Sequence, residues 1–373
     1  RIFLNGGRRY YAAGDTLVQT DLARTLDRIR RHGAGDFYEG ETARLLAADM
    51  KAHGGLITLE DLRRYTAVER KPLAGRYRGF DILTAPPPSS GGIGILQMLG
   101  VLESSGYEKQ GAGSAASLHL MAEAMRRYFA DRSEHLGDPE FHRVPVSGLL
   151  DRNYIAGLRR SIDPSRATPS ASVRPGRPAP AESSETTHYT IVDGEGNVVA
   201  VTYTLNGGFG AGVTATGLGF LLNNEMDDFS VKPGEPNMYG VVQGEANAIA
   251  PRKHPLSSMT PTIVLRDGGF YLAVGSPGGP TIINTVLQVL VNVLDFRMNV
   301  QAAVDWPRIH HQWQPDQLDL EPGFSPDTVA LLKNRGHKIR TRSSQGEVAA
   351  ILFDGVWLQG AADGRAESSA KGY

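Results

Sequence analysis

The stretch Ser183-Ser184-Glu185-Thr186-Thr187-His188-Tyr189-Thr190-Ile191-Val192-Asp193-Gly194-Glu195-Gly196-Asn197-Val198-Val199-Ala200-Val201-Thr202-Tyr203-Thr204-Leu205-Asn206 decides how the chain is read. Tyr189, Ile191 and Val192, then Val198, Val199 and Val201, are strand-forming residues. The Asp193–Asn197 break between them is turn chemistry, because Gly and Asn tolerate the positive φ of a tight hairpin. The pattern predicts a β-hairpin whose first strand opens at Thr186-Thr187. Residues 164–185, just before it, are rich in Pro, Ser, Ala and Arg, and Val173 is their only sizeable apolar side chain. Such a segment buries too little surface to offset its ordering entropy, which predicts an exposed, mobile linker. A linker that runs directly into a core strand beginning Thr-Thr is an unusual junction, although a plain loop-to-strand transition accounts for it equally well.

The 373 residues suit one large domain or two of ordinary size, and 40% hydrophobic with 21% charged residues is a globular balance. A net charge of −1 without a long Lys/Arg run argues against nucleic acid and anionic membrane as partners. Cysteine is absent, which excludes a thiol nucleophile, cysteine zinc sites and disulfides. The chain opens on Arg1 rather than Met, so an upstream portion is expected to be missing.

Working outward, an amphipathic helix is expected from Asp15 or Thr16 to residue 32, with Leu22, Leu26 and Ile29 on one face. A second is expected over 41–53. A third begins at Thr58, where Asp61 completes a variant capping box. Residues 72–84 read as one strand interrupted at Gly79. Pro86-Pro87-Pro88-Ser89-Ser90-Gly91-Gly92 feeds a helix over 93–104; its glycines read as close packing rather than a phosphate cradle, since no Lys follows at the required spacing. A long helix is expected over 114–135, with His119 and His135 as surface or packing residues. His310-His311 likewise read as packing rather than metal ligands.

Beyond the hairpin, Asn223-Asn224-Glu225-Met226-Asp227-Asp228-Phe229 presses acids among apolar residues. Buried carboxylates need a cationic partner, either a protein side chain or a ligand ammonium, with metal as the rival. Residues 232–255 form a long aperiodic loop of the kind that closes over sites, and Tyr239 is its one large aromatic residue. Residues 262–266 and 270–274 pair as a hairpin. It leads to Gly275-Ser276-Pro277-Gly278-Gly279 and then to an apolar run, 281–296, too short and polar to span a bilayer and expected to be a buried helix. Glycines just before a helix N-terminus present unpaired N–H groups and a positive dipole, chemically a ready oxyanion hole, although they also serve tight turns. A last helix is expected from Ser325-Pro326 to Gly336, then strands over 348–353 and 356–359.

Taken together, Thr186-Thr187-His188-Tyr189, Thr204-Leu205-Asn206, Asn223–Phe229, Leu256-Ser257-Ser258-Met259 and Gly275–Gly279 resemble the motifs of the γ-glutamyltranspeptidases, in order and at that family's spacing. The stretch 86–92, Ala130-Asp131-Arg132-Ser133 and the terminal Gly372-Tyr373 extend the resemblance over nearly the whole chain. It implies an α+β fold, the four-layer αββα sandwich of the N-terminal-nucleophile hydrolases, made from a precursor that cuts itself at Glu185–Thr186. Residues 1–185 would then be the C-terminal part of a large subunit and 186–373 the small subunit of a heterodimer.

The chemistry agrees. A threonine hydroxyl needs an adjacent base, and cleavage frees an α-amine of pKa about 7.7–8.0 that can take its proton. By resemblance, Thr186 is the nucleophile, Thr204 orients it, and Gly278 and Gly279 donate N–H groups to the oxyanion. Asn206, Glu225 and Asp228 would hold the α-ammonium of a γ-glutamyl group, Ser257 and Ser258 its α-carboxylate, and Tyr239 would be the lid, bonded to Asn206. The resemblance implies glutathione-like donors, amino-acid, dipeptide or water acceptors, no cofactor or metal, and a periplasmic or secreted location. The family's carboxylate-binding arginine, in an Arg-Glu-Thr-Ala-Pro-like motif, is absent, so the chain is expected to be a fragment. The rivals are a glutaryl or cephalosporin acylase, disfavoured by ammonium ligands that a glutaryl group cannot use, and an inactive binding protein of the same fold.

Overall fold

The computed structural model describes residues 2–176 and 188–372, which divide into two compact units. The first comprises residues up to Glu69 together with Leu205–Glu225. Its helices are α1 (Thr20–His32), α2 (Ala34–Tyr38), α3 (Glu41–His53) and α4 (Leu59–Arg64). Leu46, Met50 and Leu62 bury against Ala215 and Leu218 of the returning segment. α3 has its expected limits, and α4 starts with the expected capping box: Asp61 N donates to Thr58 Oγ1 and Thr58 N to the Asp61 carboxylate. α1 begins later than expected. Asp15 is used in the preceding turn, where its carboxylate accepts from Ala12 N and Arg9, and Leu26 is exposed rather than packed.

The second unit, Arg70–Thr204 with Met226 onward, opens with β1 (Leu73–Tyr77), β2 (Phe80–Thr84), α5 (Gly91–Leu102), α6 (Ala115–His135), α7 (Val146–Leu149) and α8 (Arg152–Arg160). The hairpin β3 (Tyr189–Val192) and β4 (Val198–Val201) follows, then β5 (Thr262–Arg266), β6 (Gly269–Gly275), α9 (Thr281–Leu294) and α10 (Val300–Asp305). β7 (Ile309–His310), β8 (Leu318–Leu320), α11 (Pro326–Asn334), β9 (Ile339–Thr341), β10 (Ala349–Phe353) and β11 (Leu358–Ala362) complete it. Six strands form one antiparallel sheet in the order β1-β2-β5-β6-β10-β11. β7-β8-β9 is a separate three-stranded sheet, and β3-β4 lies against β6 and β10 as a second β layer.

α5 and α9 pack on the six-stranded sheet and are apolar nearly all round, as a helix walled in by other elements must be. Every residue of α9 is buried. Among the described residues, no helix is long and apolar enough to cross a membrane.

Two further expectations are corrected. Residues 72–84 are a hairpin rather than one strand, because Arg78 and Gly79 both take positive φ, 47° and 90°. Ion pairs from Arg78 to Glu108 and Asp295 hold a turn that a non-glycine residue disfavours. The exposed linker expected over 164–185 does not begin at 164. Ala167, Ser170 and Val173 are buried, Ala167 N donates to Arg335 O, and Trp313 Nε1 donates to the carbonyls of Ser170 and Val173. Hydrogen bonds to distant residues supply the fixation that the segment's few apolar side chains do not. Residues 177–185 lie outside the described residues.

Candidate active site

Glu185 and Thr186, the expected cleavage site and nucleophile, lie outside the described residues. The described chain resumes at His188, whose ring packs on Gly275 at the end of β6. A Cβ on Gly275 would come within 2.3–2.6 Å of that ring, so only glycine fits. The imidazole bonds Thr202 Oγ1 at 3.2 Å and Thr190 Oγ1 at 2.7 Å, and burial pushes its pKa down to about 4. Thr204, two residues past Thr202, is exposed at the end of β4's extension.

Beyond Gly275 the chain turns into α9. Gly278 and Gly279 have φ of +132° and +57°, and their carbonyls accept from Thr281 N and Ile282 N. Neither glycine N–H donates to an acceptor among the described residues, so two adjacent donors stand at the positive end of a fourteen-residue helix. The Tyr239 ring lies over Gly279, its atoms 3.1–3.3 Å from where a Cβ would be. The loop that carries Tyr239 is anchored by Gln312 Nε2 donating to Tyr239 O at 3.1 Å and by Tyr239 N donating to Asn237 Oδ1.

Ser257 and Ser258 lie in an extended segment beside residues 88–90. Ser257 N donates to Pro88 O, while Ser90 N and Ser90 Oγ both donate to Ser257 O. Ser258 Oγ accepts from Arg132 Nη2 at 3.1 Å. The glycines at 91–92 serve packing: a Cβ on Gly92 would meet Ala85 O at 1.9 Å. Asp228 is half-buried, and its carbonyl accepts from Gln243 Nε2 at 3.0 Å and Asn247 Nδ2 at 2.6 Å.

In the first unit, Asn206 has φ +67° and donates through Nδ2 to Asn224 O. Gly207 N donates to Asn224 Oδ1, which fixes the chain beside Asn206, and Glu225 N donates to Asn223 Oδ1. Thus the second unit alone joins Tyr239 to Gly279, and Ser257, Ser258 and Asp228 through one buried polar network.

Sequence reasoning missed four members of that network. Ser90, Arg132, Gln243 and Asn247 are all buried. For Arg132 a signal exists: a charged residue within the apolar pattern of a helix that proves wholly buried around it. Gln243 and Asn247 sit in an aperiodic loop and carry no comparable signal.

Among the described residues, His119, Glu123 and His337 have possible metal-ligand atoms within 4.8 Å of one another. His119 Nδ1 and His337 Nε2 are hydrogen-bonded at 2.8 Å, and Glu123 is held by Arg126, Arg127 and Thr168, so these donors serve a packed polar core. His310 and His311 are also buried, bonded to Asn284, Gln312 and Trp313 N, and burial depresses both pKa values to about 4.

A family model described as Gamma-glutamyltranspeptidase matches residues 1–373. The chain is 52% identical to the glutathione hydrolase proenzyme of Escherichia coli K12, over 94% of this chain and 61% of that protein. It is 48% identical to the glutathione hydrolase proenzyme of Pseudomonas sp. A14, over 96% of this chain and 62% of that protein. The chain therefore spans about three fifths of the length of these curated relatives. Among solved structures, the cephalosporin acylase from Bacillus halodurans superposes with a TM-score of 0.88 at 27% identity, over 100% of this chain and 66% of the other.

Proposed function

The chain belongs to the gamma-glutamyltranspeptidase family and has the α+β fold of the N-terminal-nucleophile hydrolases, and from that premise we propose that it carries the catalytic machinery for γ-glutamyl transfer and hydrolysis. The precursor cuts itself at Glu185–Thr186, giving two subunits and a new N-terminus. Thr186 Oγ attacks the γ-carbonyl carbon of a glutathione-like donor, and the Thr186 α-amine takes the hydroxyl proton. The tetrahedral oxyanion is met by the N–H groups of Gly278 and Gly279. Collapse breaks the C–N bond, the departing amine takes the proton, and a γ-glutamyl ester remains on Thr186. Water, or the amine of an amino acid or dipeptide, then attacks that ester. No cofactor takes part.

Thr204 orients the nucleophile. Asn206, Glu225 and Asp228 hold the donor's α-ammonium, Ser257 and Ser258 its α-carboxylate, and Tyr239 closes the site. The observation that carries this reading is the pair of unengaged N–H groups at Gly278 and Gly279 beneath the Tyr239 ring. Preorganised donors of this kind contribute roughly 10²–10³ in kcat each in acyl transfer. A periplasmic or secreted location follows from the same reading.

The cephalosporin acylase neighbour favours a second reading, a related amidase acting on glutaryl or other acyl groups. The two differ in one group, since a glutaryl donor has no α-ammonium for Asp228. The test is the full-length protein's turnover of a γ-glutamyl anilide against the matching glutaryl anilide. Preference for the first supports γ-glutamyl chemistry, and preference for the second replaces it with the acylase reading.

A further inference from the structure

Arg132 lies in α6 with 3% of its surface exposed, a position at which a guanidinium is costly unless its charge is balanced. Among the described residues it forms no ion pair within 4 Å. Its hydrogen bonds all end on neutral oxygens: Nε donates to Ser90 Oγ at 3.0 Å, Nη1 to Gln243 Oε1 at 3.4 Å and Nη2 to Ser258 Oγ at 3.1 Å. Burial lowers its pKa, while Tyr128 and the Asp228 carboxylate pull it back up. A buried guanidinium whose hydrogen bonds all end on neutral oxygens, with its nearest carboxylate beyond ion-pair distance, favours an anion beside it.

The directions of these bonds say where the anion belongs. A serine oxygen that accepts from a guanidinium must point its own proton elsewhere, and the Ser258 hydroxyl has no acceptor for it among the described residues. Ser90 Oγ, held on the same fork, spends its proton on Ser257 O and so fixes the backbone of the neighbouring serine. The third arm reaches Gln243, whose Nε2 donates to the Asp228 carbonyl, with Asn247 bonded to both. One cation therefore orients both ends of the proposed amino-acid subsite.

We propose that Arg132 is the positioning residue for α-carboxylate recognition: its guanidinium, donating to Ser258 Oγ, leaves the Ser258 hydroxyl as a donor for the carboxylate and holds a buried positive charge behind it. The inference rests on the γ-glutamyl reading above. An α-amino acid, with its carboxylate toward Arg132 and its ammonium toward Asp228, then matches the field of two charges the protein already holds apart.

The test uses the full-length protein and two donors, a γ-glutamyl anilide and the same anilide with its α-carboxylate converted to a carboxamide. Arg132→Met is expected to raise KM for the carboxylate donor by about tenfold or more, with the effect falling on KM rather than kcat, and to change KM for the carboxamide donor by less than about threefold. Ser258→Ala should behave in the same way, and the double variant should be no worse than Arg132→Met alone. Arg132→Lys, which keeps the charge but not the fork, should fall between Arg132→Met and wild type. If Arg132→Met does not fold, the lysine variant carries the comparison; if neither folds, Arg132 is a structural cation and the inference fails. Equal losses on both donors, or additive losses in the double variant, overturn it while leaving the γ-glutamyl reading intact. Absence of wild-type turnover on the carboxylate donor overturns that reading, and this inference with it.

Discussion

Gly278→Ala is the substitution on which the local geometry bears most directly. The position has φ of +132°, a region that side-chain-bearing residues scarcely adopt. A built Cβ would lie 2.6 Å from Thr281 Oγ1 on one side and 3.3 Å from the Gly346 backbone on the other. Thr281 Oγ1 donates to the Gly278 carbonyl at 2.8 Å, so the methyl group displaces the bond that ties this turn to α9. The backbone strain costs roughly 1–3 kcal/mol and the lost hydrogen bond about 1 kcal/mol more, enough to move the turn rather than compress it. Moving it withdraws the Gly278 and Gly279 N–H groups from the developing oxyanion, which predicts a fall in kcat of about 10²-fold or greater.

Gly279→Ala supplies the comparison. Its φ of +57° costs a side chain only about 1–2 kcal/mol, and its Cβ meets the Tyr239 ring, which a surface loop can swing aside. The loss should therefore be smaller than for Gly278→Ala. Initial rates of anilide release and thermal melts of both variants make the measurement. A folded Gly278→Ala protein that keeps kcat within about threefold of wild type would refute the oxyanion assignment.

Asp228→Ala should cut kcat/KM for a γ-glutamyl anilide by the equivalent of about 2–5 kcal/mol, while self-cleavage, which needs no α-ammonium, survives; equal loss of both activities would make Asp228 structural. His188 is half-buried and His310 and His311 are buried, with pKa values near 4, so between pH 6.5 and 4 the unfolded chain binds protons that the folded chain refuses. Stability must fall as pH drops through that window, by up to about 2 kcal/mol per histidine at pH 5, and a denaturation midpoint unchanged between pH 7 and pH 5 would contradict this. Asp363→Ala strands the buried Arg308 guanidinium, now 2.6 Å from that carboxylate, and should destabilise the fold by roughly 3–5 kcal/mol; a melt showing less than about 1 kcal/mol would mean the pair is dispensable.

Much of the fold was legible because local chemistry specified it. Thr58 and Asp61 wrote their capping box, Asp193–Asn197 its turn, and the largely apolar run after Pro280 its buried helix. What escaped depends on partners far along the chain. The turn at Arg78-Gly79 rests on a non-glycine residue in positive φ, held by Glu108 and Asp295, and nothing near residue 78 announces them. Residues 164–176 look like linker by composition, yet Ser170 bonds Asp316 and Arg126 while Trp313 clasps its carbonyl. In the candidate site, the glycine pair and Tyr239 were readable as turn and loop chemistry. Arg132 is legible in the sequence only as part of a motif, because the need for a buried cation becomes visible when Ser258, Ser90 and Gln243 are seen to converge on it.

The central claim, that Thr186 becomes an N-terminal nucleophile, is tested most directly by the intact mass of the purified full-length protein. Wild type should resolve into two chains, the smaller beginning at Thr186 and ending at the protein's C-terminus, whereas Thr186→Ala should remain a single chain of precursor mass. Wild-type protein that stays uncut after prolonged incubation, or a Thr186→Ala variant cut at the same bond, would contradict the account.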